Sequence, residues 1–181
     1  MLSVYRICKT KYAASAFDGE GAYRFGGCWN SRGTRLIYTA GNLSLAALEM
    51  LVHLDNDQLL SAYSYVAAHI PTELILPVAS FRALPKDWHA SPPSVTTQQI
   101  GDDWARAKSS AVLEVPTSII PLENNYLLNP AHPDFAKITW NAPQRFLFKE
   151  RRRDGRNLPC NRVQSNGSTS KVSMTDLLQN K

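Results

Sequence analysis

The 181-residue sequence predicts a single α/β domain of the mixed α+β kind over residues 1–148. Three observations carry that expectation. Short apolar runs closed by glycine or proline, such as Leu36–Ala40 before Gly41 and Ala111–Val115 before Pro116, read as strands. Longer runs, one from Leu45 (LAALEMLVHL) and one over Ile100–Ser110, read as helices between them. Composition then changes at Lys149: residues 1–148 hold 12 Lys+Arg and 12 Asp+Glu, whereas residues 149–181 hold 8 and 3. The first segment is long enough to bury a sizeable core and too short for two comfortable ones.

In chain order, Ser3–Cys8 (SVYRIC) reads as a strand with Arg6 inside it. Arg6 fits two roles equally, a solvated strand residue or a planar donor fork for an anion. Tyr12–Phe25 reads as a loop of small residues. It leads into a glycine-dense stretch, Gly19, Gly21, Gly26, Gly27 and Gly33, in which Asn30 and Ser31 supply turn chemistry. Such density lets the backbone approach a ligand closely, at an entropic cost that an ordinary surface loop has no reason to bear. After the strand and the turn Gly41-Asn42, Ser44 is a plausible N-cap.

The helix that follows is apolar almost all round and is expected to be buried on most sides. It carries one carboxylate, Glu49, four residues before His53 and on the same face. A buried carboxylate is costly unless paired or hydrogen-bonded. Three explanations stand: a structural ion pair or cap, a metal pair with His53, or a catalytic group.

Tyr63–Ile70 alternates as a strand closed by Pro71, and residues 78–99 read as a loop with His89 simply exposed. Asp102 and Asp103 are placed in the first turn of the Ile100–Ser110 helix, where the dipole favours anions. Thr117–Pro121 continues extended, Glu123–Pro130 supplies a strand and turn, and Arg145–Phe148 reads as a last strand. Residues 149–181 are basic, then Ser/Asn-rich, and are expected to form a disordered tail.

The balanced charge of residues 1–148 argues against nucleic-acid binding by the core. No apolar run approaches the roughly 20 residues needed to cross a bilayer, and the N-terminus has no secretory pattern, so a cytoplasmic protein is expected. Cys8, Cys28 and Cys160 are odd in number and lack metal-type spacing, so they are expected as free thiols. No phosphate loop of the Walker kind is present.

Several motifs together resemble the RES-domain family, the toxin half of bacterial toxin–antitoxin pairs. They are YRI at Tyr5–Ile7, GEGA at Gly19–Ala22, GG-x-WN-x-x-G at Gly26–Gly33, IYTA at Ile37–Ala40 and SLAALE at Ser44–Glu49. VPTSIIP at Val115–Pro121 and NYLLNP-x-HPDF at Asn125–Phe135 complete the set. The resemblance implies a fold like that of ADP-ribosyltransferases, with small mixed sheets flanked by helices. It implies NAD as the substrate, with no cofactor or metal, and cleavage of the nicotinamide–ribose bond. It implies an Xre-like antitoxin as partner, in a homodimer or a toxin–antitoxin hetero-oligomer.

Carried over by motif, Arg6 is implied to hold the pyrophosphate or ribose, Tyr38 to orient the nicotinamide ribose, and Glu49 to be the catalytic carboxylate. Cys28, Trp29, Asn30, Thr117 and Ser118 are implied at the substrate. Two departures stand out: Thr117 occupies the place of the family's serine, and Cys28 occupies a slot where the family carries arginine. The second implies an alternative, a relative that binds NAD and antitoxin with impaired catalysis; a further alternative is ADP-ribosyl transfer to a macromolecule.

Overall fold

The computed structural model describes residues 1–52 and 62–147. Eight strands, β1 (Leu2–Lys9), β2 (Ile37–Ala40), β3 (Tyr63–Ile70), β4 (Ile75–Pro77), β5 (Val112–Pro116), β6 (Asn124–Leu128), β7 (Thr139–Trp140) and β8 (Gln144–Arg145), alternate with four helices, α1 (Glu20–Phe25), α2 (Leu43–Leu51), α3 (Val78–Phe81) and α4 (Val95–Ala107). The mixed α/β class is as the sequence predicts. The strands follow one hydrogen-bonded path, β4-β5-β6-β2-β1-β3-β7, with β8 also on β3; every pairing is antiparallel except β4 with β5.

Alternation along β5 and β6 builds a core on each face of the sheet. Val112 opposite Leu128 joins Val4, Ile37, Val66 and Ile70 on one side. Leu113 opposite Leu127 faces the other, where Ile100 and Trp104 of α4 cover it together with Trp29 and Leu36. Adjacent strand residues point to opposite faces, so these apolar runs feed two cores.

The sheet opens between β1 and β2. All eight residues of β1 are in register with β3, but only Tyr5 and Ala40 are in register across β1 and β2. Helix α2 lies over this junction, packing Leu45 and Ala46 against Ala40, Tyr5 and Ile7. The opening is what places the site.

Several boundaries differ from the sequence expectation. Tyr12–Phe25 is not a loop: a 3-10 turn spans Thr10–Ser15 and α1 follows, held by the Arg24–Glu20 pair one turn apart. Gly21 inside α1, a poor helix former, hides that helix from a propensity reading. Asn42, not Ser44, caps α2, accepting from the Leu45 N–H at 2.8 Å. Nor is α2 buried on most sides, since Leu48 and Val52 just beyond its end are 37% and 59% exposed.

Helix α4 begins at Val95 with Ser94 as its cap, so Asp102 and Asp103 lie mid-helix and not in the first turn. The β-branched Thr96 and Thr97 weaken the local helix signal; burial of Thr97 supplies what propensity does not. Residues 78–99 accordingly contain α3 and the start of α4 as well as loop. Thr117–Pro121 turns instead of running extended, because the Thr117 hydroxyl accepts from the Ile119 N–H at 3.1 Å. The last strand is the short β8, and Phe148, His53 and the basic tail 149–181 lie outside the described residues.

Candidate active site

The glycine loop is held from below by Tyr38 of β2. Its hydroxyl donates to Asn30 Oδ1 at 2.6 Å and accepts from the Trp29 N–H at 3.0 Å. Asn30, fully buried, donates through Nδ2 to the carbonyls of Ala22, Ser31 and Thr34. Gly27 passes directly over this support: a Cβ there would sit 2.4 Å from the Tyr38 hydroxyl. Helix α4 clamps the loop from the side. Gln98 Nε2 donates to the Gly27 carbonyl at 2.9 Å, and the buried Asp102 accepts from the Ser31 hydroxyl at 2.6 Å and the Ser31 N–H at 3.1 Å.

Burial pushes the Tyr38 phenol pKa up, so the hydroxyl stays protonated as a donor. Tyr38 therefore shapes the loop with its hydroxyl and offers the site its ring. The Cys28 thiol, exposed at the loop tip, is also pushed up by desolvation and by the charge of Glu49, which disfavours a nucleophilic thiolate there.

Glu49 projects from α2 toward the opening of the sheet. One oxygen, Oε1, accepts from Thr117 Oγ1 at 2.6 Å and from Asn125 Nδ2 at 2.7 Å. No described residue bonds Oε2 or forms an ion pair with the group. Two neutral donors thus fix the carboxylate without cancelling its charge, which rules out a structural ion pair among the described residues. A pairing with His53 lies outside them.

Arg6 fills the gap where β1 leaves β2, donating from Nη1 to the Tyr38 carbonyl at 2.9 Å. Burial pulls its pKa down, against smaller opposing effects of Cys8 and Asp18. An arginine nevertheless keeps its proton in proteins, and no carboxylate among the described residues pairs with it. An uncompensated, largely desolvated cation is expensive. Arg6 is half-buried, bonded to the Tyr38 carbonyl and part of the wall of the cleft beside Glu49, a placement that suits the anion-binding role better than that of a solvated strand residue.

Arg6, Cys28, Trp29, Tyr38, Glu49, Thr117 and Ser118 line one cleft of about 370 Å³, at the small end of ligand-site volumes. Asn30 is the one sequence-selected residue outside its wall; its side chain is spent on the loop. Asn125 shares the cleft and was missed, although it opens one of the quoted motifs; so were Trp88 and the exposed His89, and Trp88 stacks near Trp29 with ring centroids 6.4 Å apart. No local pattern marks Asn125, whose partner Glu49 lies 76 residues away in sequence.

Residues 3–149 match the RES domain family. The chain is 41% identical over 145 residues to Toxin Res of Photorhabdus laumondii, covering 80% of this chain and 92% of the relative. It is 36% identical over 142 residues to the Prs ADP-ribosylating toxin of Sphingobium sp., covering 77% and 88%. In fold it is similar to a chain of the crystal structure of the M. tuberculosis MbcT-MbcA toxin-antitoxin complex, with a TM-score of 0.65 at 17% identity, over 80% of this chain and 84% of that one.

Proposed function

We propose, from the premise that this chain belongs to the RES-domain family, that it is the toxin of a toxin–antitoxin pair and destroys NAD by cleaving the nicotinamide–ribose bond. The observation that carries the reading is the Glu49 carboxylate, fixed by Thr117 and Asn125 and without an ion-pair partner among the described residues, in one cleft with Arg6 and Tyr38. The C–N bond breaks with its electron pair going to the ring nitrogen, so the pyridinium leaves as neutral nicotinamide and no general acid is needed. The ribose left behind is oxocarbenium-like, and a fixed carboxylate stabilises that developing positive charge. An oxygen of water or phosphate then forms the new bond to the same carbon, and water, if it is the acceptor, loses a proton to solvent. Arg6 supplies positive charge and N–H donors for the dinucleotide's pyrophosphate or ribose, and the Tyr38 ring bounds the sugar.

A second reading, transfer of the ADP-ribosyl group to a macromolecule, is favoured by the name of the Sphingobium relative. Both readings suit a cytoplasmic protein held in check by an Xre-like antitoxin within a hetero-oligomer; no helix among the described residues is long and apolar enough to cross a membrane. Incubating the purified chain with NAD, with and without inorganic phosphate, and quantifying nicotinamide tests the proposal. Nicotinamide release supports it, and a rate that rises with phosphate identifies the acceptor. Label from NAD found on protein selects the second reading, and intact NAD in every arm overturns both.

Cys28 gives a specific expectation. Its side chain is exposed on the cleft wall, so arginine fits there without repacking. A restored charge-assisted contact contributes about 1.5–3 kcal/mol. Cys28→Arg is expected to raise kcat/KM for nicotinamide release by about tenfold or more. An unchanged value would show that the phosphates do not pass this part of the loop.

A further inference from the structure

We infer that Asn125, together with Arg6, forms a receptor for a hydroxyl group on the sugar that carries the nicotinamide, and so restricts the site to ribosyl over deoxyribosyl substrates. The inference rests on the NAD reading above and goes past it, to a residue and a selectivity.

Among the described residues, two buried side-chain polar atoms have no protein partner, Arg6 Nε and Asn125 Oδ1. Orphaned buried polar atoms are rare, and each calls for an explanation. Both residues line the cleft described above, and both also line a second cleft of about 320 Å³ that shares Tyr38 and Glu49 with it. The two orphans therefore belong to side chains on the wall that the clefts share with the Glu49 carboxylate.

The orientation of the amide is fixed by chemistry. A carboxylate accepts only, so the Asn125 atom 2.7 Å from Glu49 Oε1 is the NH2 group, and the carbonyl oxygen faces away from it. That leaves the Nε–H of Arg6 as a buried unpaired donor and Asn125 Oδ1 as a buried unpaired acceptor. A phosphate or carboxylate would satisfy the first and be repelled by the second. An ammonium would satisfy the second and be repelled by the first. A neutral hydroxyl donates one hydrogen bond and accepts others, so it satisfies both. The same amide then holds Glu49 on one side and the sugar hydroxyl on the other, which sets the carboxylate's position relative to the ring that becomes positive.

The test uses carbocyclic NAD, whose nicotinamide–carbon bond is not cleaved in this way, and two counterparts that each lack one hydroxyl of that ring. Dissociation constants are measured by calorimetry. The wild-type chain is expected to bind the diol roughly tenfold or more tightly than at least one counterpart, because a site built to bond a hydroxyl is left unpaired without it. Asn125→Leu, matched in shape and unable to bond, is expected to bind the diol and that counterpart alike. Thr117→Val, which removes the other donor to Glu49 but keeps Asn125, is expected to retain the discrimination. If the wild-type chain binds all three compounds equally, or if Asn125→Leu still discriminates, the hydroxyl receptor is wrong and the NAD reading stands. If none of them binds, both fall. Orphans permanently satisfied by water, a purely structural role, would give the equal-binding result.

Discussion

Glu49→Gln is expected to lower nicotinamide release by at least ~10²-fold while leaving the fold intact, the scale on which removal of one transition-state electrostatic partner acts. The substitution isolates charge from packing. Glu49 accepts both of its hydrogen bonds at Oε1, and a glutamine carbonyl oxygen in that position accepts the same two from Thr117 and Asn125. What disappears is the negative charge that faces the sugar. If the carboxylate stabilises an oxocarbenium-like ribose, kcat falls and the KM for NAD changes little, since the neutral-sugar ground state gains little from the charge. The measurement is a nicotinamide-release progress curve on the wild-type chain and the variant, each also carrying Cys28→Arg if the natural thiol leaves turnover slow. Retention of more than a tenth of the rate would remove Glu49 from the chemistry, and a matched loss in thermal stability would mark it as structural.

Glu49 and Arg6 were legible in the sequence for one reason: each is a charge set where its surroundings are apolar, on an otherwise greasy helix and inside a β-run. Glycine density likewise marked the loop, because backbone freedom and close approach are written into residue type. What holds those parts together was not legible. Asn125 and Thr117 meet Glu49 across 76 and 68 residues, and Gln98 and Asp102 meet the loop across 71, through contacts that leave no periodic trace. Asp102 illustrates the limit well. Read locally it is a first-turn anion, whereas once α4 starts at Val95 its carboxylate is a mid-helix acceptor for Ser31. Tyr38 shows the converse, since its ring was expected at the sugar while its hydroxyl is committed to Trp29 and Asn30. Side chains that organise a site through long-range bonds become visible only after the sheet has brought the segments together.

Gly101→Ala is expected to destabilise the domain by roughly 1–3 kcal/mol, the range for overpacking a close contact, even though the same change in an exposed helix interior stabilises by about 0.5–1 kcal/mol. The sign is reversed by what lies opposite. A Cβ on Gly101 would stand 1.8 Å from the Trp29 carbonyl oxygen and 2.9 Å from its carbonyl carbon, and neither is a side-chain tip that can rotate away. Either α4 or the glycine loop must move. Because Gln98 and Asp102 on the same helix hold Gly27 and Ser31, the displacement weakens the clamp that shapes the cleft. Thermal unfolding should show a midpoint lowered by several degrees, and nicotinamide release should fall with it. Gly21→Ala provides the opposite arm, for Gly21 lies inside α1 and a Cβ there meets nothing within 4 Å. There the ordinary helix propensity term is unopposed, and a gain of about 0.5–1 kcal/mol is expected. Two glycine-to-alanine changes, both within helices, should thus move stability in opposite directions; a Gly101→Ala domain as stable as the wild type would mean that α4 does not press on the loop, and the clamp would lose its basis.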